Sequence, residues 1–443
     1  MGDVKSFYGH LLNVEKGRKT NHRNGRNATK ICIVIAITVS MMAVAVAAFL
    51  NQEGNIPKKT LISYSPEVVA SFGDVGQYCS IAANPMSDKP PVIAFYNATS
   101  QDLNIAAWLG ADWNVWAPFP TADNDGLYCS LALNMTGSGS NIAHISYYDA
   151  TSGNLVYANS IGEGYVVDSS GDVGQYSHID VQNVTGSIAI SYYDNSTGNL
   201  KVAYNESGNT PWAIYTVDTY GDVGQYSDVL FMPMNDTMMV NYYNATDTSL
   251  KQAWAWDTGS GIGPWFTMTI DNPPSTDVGK WTSQAGTATG IWYSSWYDST
   301  NGDLSYAYYY NESVMEIGTK VDTVGDVGQY TSIAVNSSGH AFISYYDNTS
   351  KDLKLAWNVS SGVWYNMTVD SGGDVGKYAS IGIDSNDTIH IAYYDVSNGD
   401  LKYVKISTTE ITFIPEFSDV LPPIIGIMAI IAISSVRKNR KKE

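Results

Sequence analysis

Short runs of alternating apolar and polar residues, each closed by a cluster of Gly, Ser, Asn or Asp, occupy most of the chain. The unit that begins at Tyr330 shows the pattern. "YTSIAVN" alternates and "SSGH" turns; "AFISYYD" alternates and "NTSKD" turns; "LKLAWNV" alternates and "SSG" turns; "VWYNMTVD" alternates and "SGGDVG" leads into the next unit. A period of two sends successive side chains to opposite faces, so each run predicts a short β-strand. The intervening residues tolerate left-handed backbone or bond their own amides, and so reverse the chain. Two apolar stretches break this rhythm. Ile31 to Leu50 is a run of 20 residues without a charge, and Val420 to Val436 is a shorter run interrupted by Pro422 and Pro423. Each predicts a transmembrane helix, the first being long enough for the ~30 Å hydrocarbon core.

The unit recurs along the chain. "GDVGQY" stands at Gly73, Gly171, Gly221 and Gly325, "GDVGKY" at Gly373, and altered forms at Asn124 ("NDGLY") and Thr276 ("TDVGKW"), spaced about 50 residues apart. Each is followed by a second string, such as "SYYDATSGNL" at Ser146 or "SYYDNTSKDL" at Ser344. Seven paired markers with four strands per unit predict an all-β fold, a seven-bladed β-propeller of four-stranded blades about 50 residues long. A β-solenoid, normally built from shorter units, is the alternative architecture. The last unit lacks a fourth strand, and the unmatched segment "LISYSPEVVAS" before Gly73 is expected to supply it and leave no open edge. The domain plan is a basic segment at 1–30, a transmembrane helix or signal anchor at 31–50, the propeller at 51–410, a linker at 411–419, a second transmembrane helix at 420–436 and a basic tail at 437–443. A cleaved signal peptide is the alternative for 31–50.

Charge orients this plan. The chain has 24 Lys and Arg against 43 Asp and Glu, yet between 31 and 436 the count is 12 against 40, which excludes nucleic acid as a partner. Basic residues on the outer side of both apolar stretches place both termini in the cytoplasm and the propeller outside the cell membrane. An outer location makes sequon asparagines glycosylation candidates: Asn97, Asn134, Asn183, Asn195, Asn205, Asn235, Asn244, Asn311, Asn336, Asn348, Asn358, Asn366 and Asn386. It also permits a disulfide between Cys79 and Cys129, which occupy matching positions in the first two units; two separate buried small residues is the alternative.

Two segments resemble known families. The C-terminal "FIPEFSDVLPPIIGIMAIIAISSVRKNRKKE" resembles the archaeal PEF-CTERM type of sorting signal, with Pro415, Glu416 and Phe417 ahead of a short apolar helix and a basic tail. The resemblance covers about the last 30 residues and implies a sorting enzyme as a partner at the tail. "SGDVGQY" is superficially similar to the Asp-box (SxDxGxTW) of sialidases and other propeller hydrolases. Here, however, Tyr176 falls on the Thr position and the string joins blades instead of lying within one. Sialidases hold a carboxylate with clustered arginines. No arginine occurs between Arg26 and Arg437, which excludes an arginine-dependent sialidase.

In a propeller the links from outer strand d to inner strand a emerge on the same face as the b-to-c turns, so both acidic strings crowd one face. Asp168 and Asp218, with Asp172, Asp222, Asp326 and Asp374 beside glycines, are expected to cap turns. Asp168, Asp172, Asp218 and Asp222 are also candidate ligands for a hard cation such as calcium, and Asp172, Asp222, Asp326 and Asp374 candidate ligand-binding residues of the loop face. In the first-strand column Ser80, Ser130, Ser283, Ser332 and Ser380 are joined by His178 and Asp228, a candidate ligand-binding pair in the central funnel; a structural hydrogen bond is the alternative. His144 and His390 read as packing residues, and the Tyr-Tyr pairs of strand b as filling both blade interfaces. The expected function is that of a membrane-anchored cell-surface module. It would bind, adhere or scaffold through its acidic loop face, with a surface glycan or protein as ligand. An exported carbohydrate-active enzyme, a glycosidase or lyase with carboxylates in the funnel, is the alternative.

Overall fold

The structure, a computed structural model, describes residues 64–408 except 85–90, 135–141, 183, 207–210, 234, 236, 257, 259–260, 311–312 and 361. The two apolar stretches, the terminal basic segments, the Pro415-Glu416-Phe417 motif and the sequons at Asn183 and Asn311 lie outside the described residues. Among the described residues no helix is long and apolar enough to cross a membrane.

Among the described residues, twenty-eight strands form seven four-stranded antiparallel sheets. Blade 1 runs through strands a (Val75–Ala82), b (Val92–Asn97), c (Asp102–Trp108) and d (Trp113–Trp116), and the next five blades repeat that order. Blade 7 takes a (Val375–Ile383), b (Thr388–Asp395) and c (Asp400–Ser407) from the end of the propeller and its d strand, Glu67–Ala70, from the beginning. Glu67 pairs with Tyr403 and Ala70 with Leu401, so the ring is closed by a strand from the other end of the domain, as the missing fourth strand required. Each strand a packs on the a strands of both neighbouring blades, including blade 7 on blade 1, which makes a the innermost strand.

Alternation in strand b does not separate a wet face from a dry one. Strand b of blade 3, Ile188–Asp194 (IAISYYD), is buried at every position, and strand b of blade 6, Ala341–Asp347 (AFISYYD), likewise. The polar half of each run does not face water, because a blade is covered on both faces by its neighbours. Ser146 and Ser295 are fully buried and bond across the interface, Ser146 Oγ lying 3.0 Å from Ser177 Oγ and Ser295 Oγ 2.8 Å from Thr331 Oγ1. The rim is different: strand d of blade 3, Ala213–Asp218, exposes three of its six residues and buries only the last.

The pairing of the two repeated strings has a steric cause. The second glycine of "GDVG" lies against the Leu that ends the other string in the preceding blade. A Cβ on Gly224 would come 2.8 Å from the Leu200 Cα, and the equivalent approaches around the ring are 2.6–2.9 Å. All seven of these glycines have positive φ, from 98° to 110°. No other residue satisfies both the contact and the backbone, so glycine recurs there in every blade.

Candidate functional site

The loop face is built first by backbone bonds. In every blade a Ser or Thr of the b-to-c turn accepts the backbone N–H of the Asp in "GDVG", or of Asn124 in its place, at 2.7–2.8 Å. That Asp side chain then accepts the hydroxyl of the second Tyr of the preceding blade's strand b. Tyr148 donates to Asp172, Tyr193 to Asp222, Tyr297 to Asp326, Tyr346 to Asp374 and Tyr394 to Asp74, all within 2.5–2.8 Å. The first Tyr of the pair reaches the opposite interface. Tyr192 donates to Asp168, at the end of the preceding blade's strand d, and the Lys201 ammonium lies 2.6 Å from the same carboxylate. Asp218 receives Tyr242 and Lys251, Asp322 receives Tyr345 and Lys354, and Asp370 receives Tyr393 and Lys402 in the same way.

These bonds decide what the acidic strings can do. Asp168 and Asp172 stand four residues apart and both bond across the interface of blades 2 and 3, Asp168 to Tyr192 and Asp172 to Tyr148, and the position a cation would take at Asp168 holds the Lys201 ammonium. Burial alone would raise the Asp168 pKa, but the bonds from Lys201, Ser170 and Tyr192 outweigh it and hold it at about 2. Asp218 is lowered on the same balance. Among the described residues no three His, Cys, Asp or Glu side chains are grouped to hold a metal ion. The candidate calcium carboxylates are thus inter-blade struts, Asp168 and Asp218 bonded to tyrosine and lysine, Asp172 and Asp222 to tyrosine and side-chain amides.

Around the axis the inner strands present successive tiers. The first is a closed ring of seven aromatic side chains: Tyr78, Tyr128, Tyr176, Tyr226, Trp281, Tyr330 and Tyr378. Neighbouring centroids are 4.6–5.3 Å apart and neighbouring planes turn by 46–54°. Each sits at φ between 49° and 55°, where a side chain costs about 1–2 kcal/mol of backbone energy. The cause is local: one bulge falls between Gln175 and His178, another between Val173 and Gln175, and equivalent shifts occur in every strand a. The rings line a funnel of about 180 Å³ together with the next residue of each strand, among them Cys79, Cys129, Ser177 and Thr331. Burial raises the tyrosine pKa values, partly offset at Tyr78 and Tyr226 by bonds from neighbouring hydroxyls, and pushes that of Tyr226 to about 12, so the phenols stay neutral.

The second tier contains His178 and Asp228, and here the sequence reading is sharpened. The side chain at this column position accepts the backbone N–H of the residue after the column position in the next blade, around the whole ring. Ser80 accepts from Leu131, Ser130 from Ile179, His178 Nδ1 from Val229, Asp228 from Gln284, Ser283 from Ile333, Ser332 from Ile381 and Ser380 from Ile81, at 3.0–3.3 Å. His178 and Asp228 therefore take over the serine's role. Their side chains also approach each other, His178 Nδ1 lying 3.6 Å from Asp228 Oδ1, an oxygen with no hydrogen-bond partner. Burial raises the Asp228 pKa, partly offset by His178.

One residue of the third tier escaped the sequence reading. Where other blades carry Ala82, Ala132, Leu230, Ala285, Ala334 or Gly382, blade 3 carries Asp180. Its two oxygens accept the N–H of Val181 at 2.8 Å and of Phe231 at 2.7 Å, and burial raises its pKa to about 6. The signal was present as a charge in a column of small apolar residues. The aromatic ring was equally legible as an unbroken Tyr/Trp column, but its convergence on one axis required the fold.

Other expectations divide. Cys79 and Cys129 are free, buried thiols, which corrects the candidate disulfide. Each donates to the carbonyl of the preceding blade's ring tyrosine at 3.0 Å, Cys79 to Tyr378 and Cys129 to Tyr78. The two thiols thus follow each other around the ring and do not face one another. His144 and His390 are buried packing residues, each with Nδ1 2.6 Å from a tyrosine hydroxyl, and burial lowers the His144 pKa to about 4. Among the sequons, Asn134, Asn205, Asn244 and Asn358 are buried, where a glycan has no room, while Asn195, Asn235, Asn366 and Asn386 are exposed. Asn97, Asn336 and Asn348 are partly covered.

No protein-family model matches the chain, and no curated protein matches it. Among solved structures it is similar to a fucose-specific lectin from Aleuria aurantia, at 11% identity over 65% of this chain and 97% of that one, with a TM-score of 0.42. It is similar to a triple arginine-to-alanine mutant of AofleA from Arthrobotrys oligospora, at 13% identity over 69% and 90%, TM-score 0.44. It is also similar to a GH74 xyloglucanase from Xanthomonas campestris, at 14% identity over 77% of this chain and 55% of that one, TM-score 0.45. At these values the likeness assigns no ligand or reaction to this chain.

Proposed function

We propose that this protein is a recognition module held at the outer face of a cell membrane, and that it takes a surface glycan at the loop-side mouth of its axial funnel. The observation that carries the reading is the closed ring of seven aromatics around one axis. It concentrates ring faces and hydroxyls in a single concave site, which is how polyhydroxylated ligands are held. The loop-face carboxylates, first expected to be the binding surface, are bonded to the blade framework, so the site moves inward to the funnel.

Membrane anchoring rests on the apolar stretches at 31–50 and 420–436 and the basic residues outside them, and a sorting enzyme acting at Pro415, Glu416 and Phe417 rests on the tail's resemblance. Chain direction is consistent with such display. Strand d of blade 7 enters, and strand c of blade 7 leaves, on the face opposite the d-to-a loops, so both ends of the propeller lie away from the funnel mouth. A glycan array probed with purified full-length protein tests the proposal. Retention of a defined glycan, lost in a Tyr128→Ala/Tyr330→Ala variant, supports it; an array without signal ends it.

The second reading, an exported carbohydrate-active enzyme, draws on Asp180 and Asp228, the non-repeated carboxyls of the inner wall whose pKa values burial raises. It stands second because both oxygens of Asp180 already accept backbone N–H groups. Release of reducing ends from a polysaccharide panel, abolished by Asp180→Asn, would promote it.

A further inference from the structure

The chemistry of the funnel points to a more particular ligand group. None of the fourteen residues that line it carries an acidic or basic side chain: aromatic rings, hydroxyls, thiols and one methyl group face the cavity. An anion entering it would find no counter-charge. A cation would meet aromatic rings and hydroxyl oxygens set around a common axis, side chains of the type that hold quaternary ammonium groups.

The charge one layer out has a definite sign. Each ring side chain contacts the second Tyr of its own blade at 5.5–6.3 Å, and those tyrosines donate to the "GDVG" carboxylates. Six of those seven positions are Asp, and Asn124 fills the seventh. The lysines in this layer include Lys280 and Lys377, each beside the carboxylate three residues before it, Asp277 and Asp374, and Lys351, whose ammonium lies 5.7 Å from the Tyr346 ring centre and bonds Asn348, so that the six carboxylates still outnumber them. Four carboxylates of the layer, Asp74, Asp172, Asp222 and Asp326, accept neutral tyrosine and amide donors. Low-dielectric walls focus such a field into the cleft and favour a cation within it.

Size sets a further limit. A funnel of about 180 Å³ is smaller than the roughly 300–1,000 Å³ of pockets that enclose a drug-sized molecule. It suits one headgroup, with the rest of the ligand lying outside over the loop face. We propose that the group seated in the aromatic ring is an organic cation, a quaternary or alkylated ammonium carried by the ligand. This rests on the reading of the funnel as the ligand site and narrows it to one chemical class.

The test titrates purified full-length protein with choline and, separately, with its uncharged carbon isostere 3,3-dimethylbutan-1-ol at matched ionic strength, by calorimetry and aromatic fluorescence. Choline is expected to bind about tenfold or more tighter than the isostere, since only the cation gains from the ring faces. Tyr330→Leu should weaken choline by about tenfold, whereas Tyr330→Phe, which keeps the ring and the packing, should stay within about threefold. Equal binding of choline and isostere overturns the inference. So does a folded Tyr330→Leu variant that binds choline like the parent, its fold checked by melting temperature. Glycan binding on the array without choline binding defeats the cation and leaves the recognition site standing; absence of both defeats the site as well.

Discussion

Val229 donates its backbone N–H to Nδ1 of His178 at 3.3 Å, across the interface between blades 3 and 4. The same bond, made by a serine hydroxyl, links five of the other six interfaces, so the histidine is first an inter-blade acceptor. His178→Ser restores the column and should change unfolding free energy by no more than about 0.5 kcal/mol. His178→Leu strands the Val229 N–H and should cost about 1–3 kcal/mol, both read from urea unfolding.

Glycine spacing predicts a contrast between two sites of similar backbone. Gly224 has φ of 110° and lies on Leu200, while Gly110 has φ of 93° and nothing within 4 Å of a built Cβ. Gly110→Ala should cost about 1–2 kcal/mol from backbone strain alone. Gly224→Ala adds the overlap with Leu200 backbone and should cost at least about 2 kcal/mol more. Equal losses in melting temperature would show that the contact with Leu200 carries no weight.

The struts at the ends of strands d govern acid stability. Asp168 is held at about 2 and Asp218 and Asp370 are lowered, in each case because lysine and tyrosine bonds outweigh burial. A carboxyl depressed in the folded state contributes stability above its unfolded pKa of about 3.9 and loses it as pH falls through the folded value. The loss should fall between about pH 4 and pH 2. Lys201→Met, which leaves Asp168 buried without its partner, should cost about 3–5 kcal/mol at neutral pH and much less at the bottom of that window.

Asp180 should act in the opposite sense. Burial raises it to about 6, so the folded protein takes up this proton before the unfolded chain does. Its contribution to stability is then full below about pH 4 and declines as pH rises to about 6. Asp180→Asn, which retains an acceptor for Phe231, should remove that decline and be more stable than the parent at pH 7.5 but not at pH 4. An unchanged stability slope across the window would contradict the assignment.

The two thiols provide a direct chemical check. Cys79 and Cys129 are buried and burial pushes both thiols up, which suppresses the reactive thiolate. Under native conditions neither should be alkylated within hours, and both should label once the protein is denatured without prior reduction. Labelling that required a reductant would mean that they are joined.

The sequence by itself determined the architecture. Seven paired strings, a period of two and turn residues at regular intervals specify four-stranded repeats, and a last unit one strand short specifies closure by the N-terminal segment, as Glu67 opposite Tyr403 bears out. These features are local or periodic, and a linear chain carries such information openly. Only the tertiary structure decided which residues line the funnel. Tyr78 and Tyr378 are 300 residues apart in the chain, yet their rings are 4.7 Å apart, because closing the propeller brings the first inner strand against the last. Closure also turned the acidic strings inward to tyrosine and lysine partners in neighbouring blades, so residues that read as a charged binding face became struts. Pairing between blades depends on curvature and registration in space, and no one repeat holds that information.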